Sequence, residues 1–274
     1  MKNLLKDKNV LITGGGRGIG KRLAIGLAQM GARLGLIARS KAELDVAALE
    51  IEHAGGTSLR VRADVRDYEA LLAATERIRV HFGSPDVLIC SAAIQGPIAP
   101  LVETSAKEWM ETLETNVGGV VNACRAVLPG MVERRRGKII VLGGGGATRP
   151  RPYFSSYAAS KAAVARLVES LAEEVRDHNI QVNCMSPGGT YTAMTDEILR
   201  AGDRAGERDL EEARRVRLTG GVQPDRQIQL AAFLASERSN HISGKLVHVD
   251  DDWKRLEKGT VHPELYTLRR VQKI

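Results

Sequence analysis

The stretch Val10-Leu11-Ile12-Thr13-Gly14-Gly15-Gly16-Arg17-Gly18-Ile19-Gly20 decides the fold. A short apolar strand runs straight into a turn rich in glycine. From Gly18 onward apolar residues recur at helical spacing (Ile19, Leu23, Leu27, Met30) until Gly31 stops the pattern. Glycine lets the chain turn tightly and lets its backbone approach a ligand closely. The helix that follows offers unpaired N–H groups and the positive end of its dipole, an arrangement suited to a pyrophosphate. A glycine-rich loop alone says little; at the opening of a strand–helix unit it stands in the context that a dinucleotide requires.

The same alternation continues in both directions along the chain. Strands are expected at Leu34–Ala38, Leu59–Val61, Val87–Cys90, Lys138–Leu142, Ile180–Met185 and Lys245–Val249. Between them the spacing predicts helices over Lys41–His53, Tyr68–Phe82, Ser105–Met131, Ser156–His178 and Pro224–Ala235. Val87 to Cys90 is apolar throughout, as in a strand covered on both faces. A run of βα units implies one α/β domain, a doubly wound parallel sheet of Rossmann type with helices on both faces. The domain is expected to span residues 1–252, with residues 253–274 as a C-terminal extension. Thr195 to Gly221 interrupts the alternation with a highly charged stretch, read as a loop. A loop of this length in a compact domain points to a lid over substrate, set at about residues 188–222.

Composition narrows the function classes. The 274 residues are 43% hydrophobic and 27% charged, ordinary for a globular chain. Met1 to Asn9 lacks the apolar run of a signal peptide, and no stretch is apolar for long enough to span a membrane, so a cytoplasmic location is expected. The formal charge of +7 draws on Arg134-Arg135-Arg136 and on Arg269-Arg270, which read as solvated surface. The positive field would also attract a polyphosphate. Basic residues do not interleave with aromatic ones, so no nucleic-acid partner is expected. Cys90, Cys124 and Cys184 lack metal spacing, as do His53, His81, His178, His241, His248 and His262; no metal is expected, and the cysteines read as reduced core residues.

Two local patterns carry chemistry. The second strand ends Ala38-Arg39-Ser40, an arginine where a carboxylate would bind the adenosine ribose hydroxyls. Arg39 together with Arg17 can pair with a 2′-phosphate, which favours NADP(H) over NAD(H). Tyr157-Ala158-Ala159-Ser160-Lys161 lies in an expected helix, with tyrosine and lysine one turn apart on one face. An adjacent ammonium favours a phenolate, so Tyr157 can pass a proton to or from a carbonyl or hydroxyl while hydride moves on a nicotinamide.

Thr13-Gly14 through Gly18-Ile19-Gly20 as TGxxxGxG, and Tyr157 with Lys161 as YxxxK, resemble the short-chain dehydrogenase/reductase family over roughly residues 5–250. The resemblance implies further roles. Asn116 would support the proton relay to the lysine. Asp64 and Val65 would contact adenine, and Ala92 would follow the cofactor ribose. Pro187, Gly188 and Thr192 would meet the nicotinamide. With Gly14, Gly16, Arg17, Gly18, Ile19, Arg39, Ser40, Tyr157 and Lys161 these form the expected cofactor site. The resemblance also implies a homodimer or homotetramer, with the 105–131 and 156–178 helices as candidate interfaces. The expected activity is hydride transfer between NADP(H) and a carbonyl or secondary alcohol, on a polar, sugar-like small molecule. A dehydratase or epimerase using the same tyrosine is the enzyme alternative.

The chain departs from the family pattern in three places. Cys90-Ser91-Ala92-Ala93 stands where Asn-Asn-Ala-Gly is usual. The serine that bonds the reacting oxygen is replaced by Gly144, inside Gly143–Gly146. Three readings follow for Gly144: backbone N–H groups substitute for the hydroxyl; Thr148 or a substrate hydroxyl supplies it; or the chain is a cofactor-binding sensor or scaffold with weak catalysis. After the last strand, Asp250-Asp251-Asp252-Trp253 replaces the usual Asp-Gly-Gly. Asp251 and Asp252 are candidates to bind a polar substrate, and Trp253, Leu256, Leu265, Tyr266 and Leu268 to pack on the domain or on a neighbouring subunit.

Overall fold

The computed structural model describes residues 3–259, 261–262 and 264–269. Seven strands form one sheet in the order β3-β2-β1-β4-β5-β6-β7, every neighbouring pair parallel. They are β1 (Asn9–Thr13), β2 (Arg33–Ala38), β3 (Thr57–Arg62), β4 (Val87–Cys90), β5 (Gly137–Leu142), β6 (Ile180–Ser186) and β7 (Leu246–His248). Between them come α1 (Gly18–Ala28), α2 (Lys41–His53), α3 (Tyr68–Phe82), α4 (Ala106–Leu113), α5 (Gly119–Glu133), α6 (Ser155–Glu174), α7 (Ala193–Ala201), α8 (Glu207–Thr219) and α9 (Pro224–Ala235). A short α10 (Trp253–Leu256) follows β7. The chain order reverses between β1 and β4, so a crevice opens at their carboxyl ends.

The two faces of the sheet bury separate cores. Leu23 and Leu27 of α1, Leu44 and Ile51 of α2 and Leu230 and Phe233 of α9 cover one face. Leu71 and Ile78 of α3, Val120 and Val127 of α5 and Val164 and Val168 of α6 cover the other. This is the doubly wound architecture that the alternating pattern implied. Three cysteines lie buried in it, and burial pushes the Cys184 thiol up to about 12.

Two elements differ from the sequence reading. The expected helix over 105–131 is present as α4 and α5 in one unbroken helical run, and differs only in a wide turn at Glu114–Gly118, where the N–H of Gly119 reaches back five residues to Glu114 O. Gly119, just after this turn, packs closely on the neighbouring segment: a Cβ there would stand 2.5 Å from Val65 Cγ2. The charged stretch expected as a loop folds as α7 and α8. Ile198, Leu210, Ala213 and Val216 are buried along these helices, but the charged residues between them mask the helical period.

The C-terminal segment packs on its own chain. Trp253 stacks on Phe233 with ring centroids 5.0 Å apart, and Leu246 N on β7 donates to Tyr266 O at 2.7 Å. Arg269 pairs with Glu169 of α6 at 2.7 Å; Arg270 lies outside the described residues. Asp251 and Asp252 serve local structure: Asp251 accepts from His248 N at 2.6 Å and Asp252 pairs with Arg255 at 2.7 Å. Neither lines the cavity described next, so the structure does not support them as substrate contacts.

Candidate active site

A cavity of about 840 Å3 lies along the carboxyl ends of the strands. One end is built by the turn between β1 and α1. Gly14, Gly16, Arg17, Gly18 and Ile19 all line it. Gly14 adopts φ +69, and a Cβ there would collide with the Ala92 backbone at 2.6 Å, so only glycine lets the turn sit against the β4 end. α1 starts with no side-chain cap and no acid in its first turn, whereas α2 is capped by Ser40 and α3 by Asp67. Its leading N–H groups are therefore left to a ligand, and an anion satisfies both their hydrogen bonding and the helix dipole.

Arg39 and Ser40 stand at the same end of the cavity, Arg39 exposed and Ser40 accepting from Glu43 N at 3.2 Å. Arg17 lies 3.4 Å from Glu43, a carboxylate that the sequence reading did not anticipate here. Asp64, Val65 and Ala92 also line the cavity. The Arg66 guanidinium grips Asp64 at 2.7 Å and holds its carboxyl below the usual range. The uncapped start of α1 and the glycine turn therefore suit the pyrophosphate of a dinucleotide.

At the far end the cavity reaches α6. Tyr157 and Lys161 both line it. Lys161 Nζ donates to Leu142 O at 2.9 Å and stands 5.4 Å from the centre of the Tyr157 ring. Across from the phenol, a Cβ on Gly144 would lie 2.9 Å from the Tyr157 hydroxyl. The backbone N–H groups of Gly144 and Gly145 meet no acceptor among the described residues. Thr148 is exposed and does not line the cavity, which removes it as a replacement for a serine at 144.

Asn116 does not line the cavity. It lies behind, in the wide turn between α4 and α5, only 1% exposed. Its Oδ1 accepts from Ile94 N at 2.8 Å, and its Nδ2 donates to Ile94 O and to Ser160 Oγ, each at 3.0 Å. Asn116 thus ties the segment after β4 to the helix that carries Tyr157.

Pro187, Gly188 and Thr192 line the cavity beyond β6. From there α7 and α8 rise over the opening. Gly189 and Gly221 lie at the two ends of this excursion; Val222 N donates to Gly189 O at 2.8 Å, and Thr190 and Gly221 form an antiparallel bridge. Thr192 Cγ2 would be 3.5 Å from a Cβ on Gly18, so the segment reaches back over the glycine turn. On the other side Ile198, Ala205 and Ala213 pack on the fully buried Phe154, and Arg151 pairs with Asp209 at 2.7 Å. Gln95, Thr115, Arg149, Arg151, Tyr191 and Arg208 also line the cavity and were not found from the sequence. No local spacing links them, since they converge only through the fold.

With this geometry in view, comparison with known proteins identifies the chain. The family model described as short chain dehydrogenase matches residues 8–202. The chain is a short-chain dehydrogenase. This short-chain dehydrogenase is 33% identical to gluconate 5-dehydrogenase of Gluconobacter oxydans over 248 residues, 90% of this chain and 94% of that protein. It is 32% identical to the 3-oxoacyl-[acyl-carrier-protein] reductase FabG of Staphylococcus aureus over 244 residues, covering 89% and 96%. Among solved structures it resembles a gluconate 5-dehydrogenase from Burkholderia cenocepacia in complex with NADP and tartrate, with TM-score 0.80 and 29% identity over 91% of this chain and 96% of that one. Levodione reductase matches with TM-score 0.82 and 25% identity, over 92% and 99% of the two chains.

Proposed function

We propose that this short-chain dehydrogenase transfers hydride between NADP(H) and a carbonyl or secondary alcohol on a small, polar, sugar-like substrate. The observation that carries the reading is the cavity joining the uncapped start of α1 to Tyr157, with Lys161 Nζ 5.4 Å from the centre of the Tyr157 ring. The choice of NADP(H) rests on Arg17 and Arg39 at the adenosine end and on the absence of a carboxylate at the close of β2. The bound cofactor supplies the hydride on reduction and accepts it on oxidation. On reduction Tyr157 gives its hydroxyl proton to the substrate oxygen, and the Lys161 ammonium stabilises the phenolate left behind. The N–H groups of Gly144 and Gly145 face the role that a serine hydroxyl would fill, donating to the oxygen on which charge develops. Asn116 is a positioning residue, and α7 with α8 form the lid that excludes water. Gluconate 5-dehydrogenase among the relatives supports a polar substrate, and the arginines of the cavity favour one carrying negative charge.

The test is NADPH consumption against a panel of ketones, keto-sugars and keto-acids with the wild type and Tyr157→Phe. Turnover of the best substrate should fall by ~10²–10⁴ in the variant, with NADPH binding retained. Undiminished turnover would overturn the reading.

A further inference from the structure

Gln95 is 2% exposed, and its Nε2 has no hydrogen-bond partner, yet its side chain lines the cavity that contains Tyr157. A buried amide donor left unmatched is costly, and one that opens on a cavity can be matched by an acceptor on a ligand. The residues on either side of Gln95 are fixed in place. Ile94, immediately before it, is held on both sides by Asn116, which also holds Ser160; Ser160 Oγ in turn donates to Tyr157 O at 2.7 Å. Gly96, immediately after it, is pressed so close to α4 and α6 that a Cβ would stand 2.2 Å from Thr112 Oγ1 and 2.8 Å from Ser156 Oγ. Gln95 is thus braced against the turn of α6 that presents Tyr157, at the reacting end of the cavity and away from the arginines at the adenosine end.

We propose that Gln95 is a specificity-determining residue: its amide N–H donates to a second oxygen of the substrate, one or two carbons from the oxygen that Tyr157 serves. The favoured class is therefore hydroxy-ketones, vicinal diols and keto-acids rather than simple ketones and alcohols. This rests on the oxidoreductase reading above and sharpens it. A site built to hydrogen-bond a substrate oxygen discriminates strongly against a molecule that lacks it, because the donor is then stranded.

Gln95→Met keeps length and lack of branching while removing the donor. The ratio of kcat/KM for 2-hydroxycyclohexanone over cyclohexanone should fall by about 10²-fold in the variant. A second measurement does not depend on turnover. In the presence of NADP, cyclohexane-1,2-diol should raise the melting temperature of the wild type, and this rise should be lost in Gln95→Met. The variant without diol should melt no lower than the wild type, because the amide makes no bond that the fold needs. Equal diol shifts in both proteins, no shift in the wild type, an unchanged ratio, or a lower melting temperature without diol would overturn the proposal. Failure of the oxidoreductase reading appears separately, as undiminished turnover in Tyr157→Phe.

Discussion

A methyl group on Gly144 would sit 2.9 Å from the Tyr157 hydroxyl, closer than carbon and oxygen tolerate, so Gly144→Ala must displace the phenol. Steady-state kinetics should show kcat falling by about tenfold or more, because acid–base transfer depends on hydrogen-bond geometry. An unchanged kcat would mean that the phenol has slack and that Gly144 is not coupled to it. At the opposite end of the cavity, Arg39→Asp removes the guanidinium and places a carboxylate near the ribose. On the proposed NADP(H) reading, the ratio of kcat/KM for NADPH to that for NADH should drop by roughly 10²-fold, about the worth of one charge-assisted pair and the repulsion that replaces it. A wild type that uses both cofactors equally would remove the basis for this expectation. The legible residues were those whose chemistry is set by neighbours in sequence. Tyr157 and Lys161 stand one helical turn apart, and the glycines of the first turn are consecutive. Gln95 was silent because its meaning comes from Asn116, Ser160 and Thr112, all brought to it by tertiary folding.

The excursion between Gly189 and Gly221 is pinched at its base and anchored at its tip, which makes it a unit separate from the sheet. Phe154 is its anchor, with no exposed surface. Phe154→Ala removes a fully buried ring, a change that costs ~3–5 kcal/mol at a packed site. Because Phe154 packs on α7 and α8 residues and lies in neither large core, hydrogen exchange should accelerate in α7 and α8 while the sheet stays protected. Uniform acceleration across the chain would show that the excursion is no separate unit. At this scale the sequence was read well wherever one period ruled an element: α2, α3 and α9 and the strand β4 begin and end where the periodicity set them. It was misread where two signals competed. In α7 and α8 the charge density hid the apolar stripe.

For the whole molecule, the most consequential charge lies far from the chemistry. Lys138 is the second residue of β5, at the opposite end of that strand from Gly143, and is 8% exposed. Burial lowers it to about 7, although Nζ still reaches Asn240 Oδ1 at 2.6 Å and Ser239 Oγ at 3.3 Å. The unfolded chain keeps the ordinary value near 10.5, so between about pH 7 and 10.5 the unfolded state binds more protons than the folded one. Stability from this group therefore rises with pH across that window, by at most about 1.4 kcal/mol per pH unit, and is flat below it. Lys138→Met should remove that rise from denaturant titrations taken across the window. Parallel pH profiles for the two proteins would refute the assignment.

The chain holds two tryptophans, and the fold separates what they can report. Trp109 of α4 donates from its indole to Ser155 Oγ at 3.0 Å, two residues from Tyr157, while Trp253 lies against Phe233. Emission from a Trp253→Phe protein would come from the active-site side alone, and emission from a Trp109→Phe protein from the C-terminal segment alone. Intrinsic fluorescence can thus time events at the phenol and docking of the tail as independent signals, with no dye attached.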